Sequence, residues 1–210
     1  MVPTTNLLAF SVAALILILI PGPSVLFAIA RSLSLGPTAG MLSATGNALG
    51  VVPHVVGVSL GLGALIAQSV VLFTAVKVAG AAYLVYLGVQ AIRHRHVDAA
   101  PGALIAASPS KLLREGFLVG FTNPKTVVFL LAVLPQFVAP AQEAVALQMA
   151  TLGAIFLAIA VVCDCGWAVL AGNARVWLAR SPRRLGQLGG FGGVMMVGLG
   201  GALLFTGRHA

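Results

Sequence analysis

The stretch LLAFSVAALILILIPGPSVLFAIA, Leu7 to Ala30, decides how the chain is read, because it is long and apolar enough to cross a bilayer and carries Pro21-Gly22-Pro23 in its interior. Pro21 and Pro23 each remove a backbone donor, and Gly22 between them is expected to take up backbone angles closed to other residues. In hydrocarbon an unpartnered N–H or C=O costs several kcal/mol. A membrane helix therefore gives up its hydrogen-bond ladder only where the freed groups are buried in protein or line a cavity. A second interruption, Asn123-Pro124-Lys125, lies in another apolar run about a hundred residues on. Paired breaks in the two halves of a chain point to a transporter with its substrate site near the bilayer midplane.

Composition agrees. The 210 residues are 60% hydrophobic and 8% charged, with a mean hydropathy of +1.07, whereas soluble domains are roughly 45–50% apolar and about 25% charged. The net charge of +8 resides in short loops and forms no basic stripe with interleaved aromatics, which argues against a nucleic-acid partner. The fold class expected is an all-α polytopic membrane protein in contact with the lipid bilayer.

Six stretches have the length of a span: Leu7 to Ala30, Gly40 to Ala67, Val70 to Ile92, Gly116 to Val138, Ala144 to Gly172 and Leu188 to Thr206. Lys and Arg fall in alternate connections. Arg31 follows the first span, Arg93, Arg95, Lys111 and Arg114 the third, and Arg175, Arg180, Arg183 and Arg184 the fifth. The positive-inside bias makes these loops cytoplasmic and leaves both termini outside, with Arg208 as the exception. The first and fourth spans, both broken, then run in opposite directions. This predicts six transmembrane helices as two inverted three-helix repeats within a single transmembrane domain. The half-repeats cover about residues 1–92 and 111–210, joined by a cytoplasmic linker of about 93–110 that is rich in Ala, Ser, Pro and charge. A cleaved signal peptide competes for the N-terminus, through the small-residue pattern Ala28-Ile29-Ala30, but no positive residue precedes its apolar run.

Counted from the basic loops at ~1.5 Å per residue, Pro21 to Pro23, Lys125 and Asp164 all lie on the order of 12–17 Å inside the cytoplasmic boundary, near mid-membrane. Charges at such depth mark substrate or ion paths by default, and Lys125 and Asp164 are each other's expected partners. A structural ion pair closing the bundle is the other reading. Lys77, closer to the outer end of its span, is expected to snorkel. Ser43, Asn47 and His54 share one face of the second span, with Gly46, Gly50, Gly57 and Gly61 on or beside it. That strip is either a packing seam or part of the site, and His54 is the natural proton carrier if one is required. The candidate substrate and ion path is thus Pro21, Gly22, Pro23, Asn47, His54, Asn123, Pro124, Lys125 and Asp164. No metal ligand set, cofactor motif or catalytic constellation is present. Cys163 and Cys165, two apart on one helix, point to different faces and cannot meet, which excludes thiol–disulfide exchange between them. The glycines of the last span, from Gly186 to Gly201, favour close packing within the chain or between the subunits of a homodimer.

Three segments carry a family resemblance. PGPSVLFAIARSLSLGPTAGMLSATGNALG (Pro21 to Gly50), with glycines at Gly36, Gly40, Gly46 and Gly50, resembles the signature of the LysE/RhtB family of bacterial amino-acid exporters. GAAYLVYLG (Gly80 to Gly88) resembles its third-span motif, and GFTNPKTVVFLLAVLPQFV (Gly120 to Val138) its fourth-span NPK segment. In order and spacing these cover nearly the whole chain. The resemblance implies efflux of amino acids from the cytoplasm across the bacterial inner membrane by proton antiport. One acid and one base at membrane depth suit a zwitterion, favouring neutral amino acids of the threonine, homoserine or leucine type over basic ones. Export of basic amino acids or other small metabolites, and passive conduction, are the competing readings. Dependence of uphill export on the proton gradient separates an antiporter from a channel.

Overall fold

The computed structural model describes residues 2–62, 70–93, 108–139 and 144–174, together with positions 187, 194, 197, 198 and 201. Among these residues all regular structure is helical: α1 Thr4–Leu19, α2 Pro23–Leu35, α3 Pro37–Gly57, α4 Val70–Arg93, α5 Pro109–Phe121, α6 Pro124–Ala132 and α7 Val145–Asn173. A π-helical turn, Val58–Leu62, continues α3, and a 3₁₀ turn, Leu134–Phe137, follows α6. Pro37–Gly61 and Val145–Asn173 are each long and apolar enough to cross a membrane. The pairs α1 with α2, and α5 with Pro124–Phe137, reach that length as bent spans, turned by 51° and 49°. These four match the first, second, fourth and fifth expected spans, and α4 coincides with the third. The sixth, with its glycine run, falls almost wholly outside the described residues. So do residues 94–107 of the linker, the basic residues from Arg175 to Arg184, Arg208, and the side chain of Lys77.

Arg31, Lys111 and Arg114, three charges read as loop residues, turn out to lie on helices. Arg31 is inside α2, which continues to Leu35. It stops at Gly36, whose φ of 94° and ψ of 168° belong to a region open essentially to glycine alone. The fourth span begins at Pro109 and not near Gly116, so Lys111 and Arg114 ride on its first turns. Ser108 starts it by accepting the Lys111 N–H, with Pro109 at the first helical position, where its missing donor does no harm.

The breaks follow from the same arithmetic. In a helix each N–H bonds the carbonyl four residues back. Pro21 has no N–H, so the Leu17 carbonyl loses its donor, and the turn away at Gly22 separates the Ile20 carbonyl from the N–H of Ser24. In the second broken span Pro124 likewise cannot reach Gly120, whose carbonyl accepts from Asn123 N–H at 3.2 Å.

α7 forms the spine, packing on α1, α2 and α3, while α4 packs on α6. Phe10 of α1, Phe129 of α6 and Phe156 of α7 are fully buried, with ring centroids 5.9 Å apart for Phe10–Phe129 and 5.4 Å for Phe129–Phe156. Outward faces are apolar instead of charged: Leu8, Val12, Leu15, Ile16 and Leu19 of α1 are exposed, as a lipid-facing surface requires. Between α3 and α5 the contact is backbone on backbone. A Cβ on Gly46 or Gly50 would strike the carbonyls of Leu113 and Phe117, and one on Gly116 or Gly120 those of Ser43 and Asn47. The packing role expected of Gly46 and Gly50 therefore holds, whereas Gly57 and Gly61 meet nothing within 4 Å. Without a hydrophobic force between helices in lipid, such close approach supplies the van der Waals attraction that holds them.

Candidate functional site

The two breaks meet. Lys125, on the first turn of α6, is 4% exposed, and its Nζ donates to Leu17 O at 3.1 Å and Ile20 O at 2.9 Å. Those are the carbonyls released by the Pro21-Gly22-Pro23 interruption, so the ammonium caps the broken end of α1. Asn123 completes the junction. Its Oδ1 accepts the Lys125 backbone N–H at 3.1 Å, capping α6, and its Nδ2 donates to Ser24 Oγ on α2. The first break is thus closed by a side chain from the second, roughly a hundred residues away in the chain, and the Asn123–Ser24 bond ties the two together.

Gly22 serves this junction differently from the expectation. Its φ of −105° and ψ of −169° are extended values that any residue adopts. What demands glycine is room: a Cβ there would lie 3.1 Å from Lys125 Nζ and 3.2 Å from its Cε.

A cavity adjoins the junction, with about 20 Å³ open to the centre of a water molecule. It is walled by Leu17 and Ile18 of α1, Ser24 and Val25 of α2, Asn47 and Val51 of α3, and Asn123, Lys125 and Thr126 at the α6 break. Phe156, Ala160 and Asp164 of α7 complete it. Asp164, 4% exposed, accepts a hydrogen bond from Asn47 Nδ2 to its Oδ2 at 3.1 Å. Lys125 and Asp164 face one cavity, yet they are not the direct ion pair expected of them. Among the described residues the ion pair within 4.0 Å is Arg31–Glu115, at 2.6 Å. The two carbonyls freed by the break in α1 hold the ammonium in place of the carboxylate.

The α2 N-terminus opens on the same space. Gly22 is its N-cap, no side chain caps it, and its first backbone bond runs from Leu26 N–H to Gly22 O. The N–H groups of Ser24 and Val25 precede that bond and are left over by helix geometry. Such a terminus, with the positive end of the helix dipole, favours an anion.

Of the residues anticipated from sequence, the structure brings Asn47, Asn123, Lys125 and Asp164 to the cavity, with Pro21, Gly22, Pro23 and Pro124 shaping the two breaks around it. His54 stands apart. Its ring lies 5.0 Å from that of Phe121, half-buried, and its buried Nδ1 has no partner. Ser24 and Thr126 were missed. Each directly follows a break motif, and that adjacency was the signal available. The Arg31–Glu115 pair, which ties α2 to α5, was also missed, since nothing in the sequence aligns residues 84 apart on separate helices. Arg31 also stacks its guanidinium over Phe27, 5.1 Å from the ring centroid.

An uncharacterized membrane protein of Vibrio cholerae serotype O1 is 35% identical over 193 residues, 92% of this chain and 93% of that protein. A homoserine/homoserine lactone efflux protein of Salmonella typhimurium is 34% identical over 203 residues, covering 96% and 97%. A leucine efflux protein of Enterobacter sp. is 32% identical over 136 residues, covering 63% and 64%. No solved structure matches the chain. The family model described as LysE type translocator matches residues 15–207, and the chain, a helical membrane protein, belongs to that family.

Proposed function

We propose that this protein exports amino acids from the bacterial cytoplasm, by alternating access around the cavity between its two broken spans. The observation that carries the reading is the junction itself: two bent spans, each interrupted at proline, enclose one buried base and one buried acid facing a shared space. At about 20 Å³ the cavity has room for a water molecule but not for an amino acid. Substrate therefore enters only when the helices part.

The charges favour a zwitterion. Lys125 and the uncapped α2 N-terminus bring positive charge to the cavity wall, and Asp164 brings negative charge. A neutral amino acid matches both, while a second positive charge on a basic one would approach Lys125. Two relatives named as homoserine/homoserine lactone and leucine efflux proteins support small amino-acid substrates without a basic side chain. Asp164 is the natural coupling group: it holds either a proton or a substrate ammonium, and mutual exclusion at one carboxylate is enough to make the exchange an antiport with protons. In the cytoplasmic membrane, the six-span inverted arrangement with both termini outside fits this scheme.

The test is export from cells loaded with dipeptides of each amino acid, with and without the chain, before and after collapse of the proton gradient. Uphill export of neutral amino acids that stops on collapse is the expected result. Downhill flux that ignores the gradient would make the protein a channel, and export confined to lysine and arginine would reverse the assignment of substrate.

A further inference from the structure

One acceptor on the cavity wall has no donor. Asn47 is 6% exposed, it donates through Nδ2 to Asp164, and its Oδ1 is buried without a hydrogen bond. The assignment of oxygen and nitrogen follows from that bond, since only the NH₂ end can donate to a carboxylate. A buried acceptor left unmade is costly, and native interiors keep few of them. Beside it Asp164 makes its one hydrogen bond, through Oδ2, to Asn47, and Lys125, the buried cation on the same cavity, is held at Leu17 and Ile20 instead of by Asp164. Asn47 and Asp164, which both line the cavity, therefore offer two neighbouring acceptors, one of them charged, while the ammonium of Lys125 on the same cavity bonds elsewhere.

We propose that Asn47 Oδ1 and the Asp164 carboxylate together form the seat for the substrate's α-ammonium group, which makes Asn47 a specificity-determining residue for compounds bearing a primary ammonium. An ammonium carries three donors and one positive charge. It can bond Asn47 Oδ1 and Asp164 at once, which a hydroxyl with its one hydrogen cannot. The positive pole, the N–H groups of Ser24 and Val25 with Lys125 on the same cavity, receives the carboxylate or carbonyl of the same molecule. Asn47 also has the means to respond to loading: its amide is already bonded to the carboxylate that the substrate engages. The inference rests on the export reading above and adds to it which end of the substrate is recognised, and by which side chains.

Binding to the purified full-length protein in detergent tests it, with L-leucine, L-homoserine, N-acetyl-L-leucine and 3-methylbutylamine as probes and ligand-induced thermal stabilisation as the readout. The wild type is expected to bind the two amino acids and the amine, and to bind N-acetyl-L-leucine at least tenfold more weakly. Losing a hydrogen bond to a charged group corresponds to roughly 10- to 100-fold in affinity. Asn47→Leu is expected to weaken the amino acids and the amine by that factor, and Asn47→Ser, which keeps an acceptor, to weaken them less. Equal binding of leucine and N-acetyl-L-leucine by the wild type would remove the ammonium seat and leave export standing, and that comparison needs no variant to fold. Unchanged leucine affinity in a folded Asn47→Leu protein would remove Asn47 from it. Binding of none of the four probes by the wild type would overturn the seat and the export reading together.

Discussion

At the scale of single residues, the position of Lys125 changes what its removal should do. Its ammonium satisfies Leu17 O and Ile20 O, so Lys125→Met strands two carbonyls, and Asp164→Leu strands the Asn47 amide. A buried group left unsatisfied costs about 1–3 kcal/mol. The two charged groups do not touch but line one cavity, so the double loss should fall partly short of the sum of the single ones. A double-mutant cycle on Lys125→Met and Asp164→Leu, followed by thermal unfolding in detergent, is expected to show partial rescue that stops well short of wild-type stability, because the carbonyls of Leu17 and Ile20 stay stranded. Recovery of wild-type stability there would mean that the two charges pair directly in the folded protein. Gly22→Ala tests the junction more gently. The new methyl presses on Nζ and Cε at 3.1 and 3.2 Å, so the end of the Lys125 side chain must give by a few tenths of an ångström against its two carbonyls. Overpacking of this kind costs typically about 1–3 kcal/mol, and export is expected to fall while membrane levels hold.

At the scale of elements, the α3–α5 seam decides where Asn47 sits. Gly120 approaches the Asn47 backbone so closely that a Cβ has nowhere to go, and Gly116 does the same at Ser43. Gly116→Ala or Gly120→Ala must push the helices apart and carry Asn47 away from Asp164. Loss of export with a destabilisation of about 1–3 kcal/mol is expected from either. Gly57→Ala, on the same helix and with nothing within 4 Å, should leave export intact, and alanine's better helix propensity limits any stability change to within about 1 kcal/mol. Equal damage from all three, measured by export and thermal unfolding side by side, would show that the seam has no special role. The bend at Pro21 to Pro23 belongs to this scale too. Replacing both prolines and Gly22 by alanine restores donors for Leu17 and Ile20, and export near background at normal membrane abundance is expected.

At the scale of the whole molecule, two relations hold the halves in register. The Arg31–Glu115 pair at 2.6 Å joins α2 to α5, the partners being 16% and 28% exposed. Arg31→Glu or Glu115→Arg places like charges across that contact, and the double exchange restores opposite ones. Export should fall in each single variant and return, at least in part, in the double. Failure of the double to improve on either single would show the pair to be incidental. Orientation is the second relation. A cysteine introduced between His94 and Ser110 should be shielded from an impermeant thiol reagent in intact cells, and one near Gln142 should react, because basic loops stay cytoplasmic. The reverse labelling would invert the topology and with it the direction in which each broken span is entered.

What the sequence determined by itself was local and covalent. A proline has no N–H wherever it falls, and an apolar run of some twenty residues has one stable conformation in lipid. The interruptions at Pro21 to Pro23 and Asn123 to Lys125 and the family could therefore be read from residue order, whereas the end of the first broken span at Leu35 and the start of the second at Pro109 could not. Depth along a helix is local as well, which is why Pro21 to Pro23, Lys125 and Asp164 could be placed at one level from residue order, whereas Asn47 could be placed only on a face of its helix. Partnership was not legible, because it depends on the azimuth of each helix and on competition among groups distant in the chain. The structure alone decided that Lys125 turns to the carbonyls of Leu17 and Ile20 and leaves Asp164 to Asn47. It decided too that Gly22 makes room for an ammonium and not for an unusual backbone angle. His54, on the same face as Asn47 by sequence spacing, came to rest against Phe121 and away from the cavity. Seven residues advance a helix by about 10 Å, far enough for one face to leave the cavity that it lines at the other end.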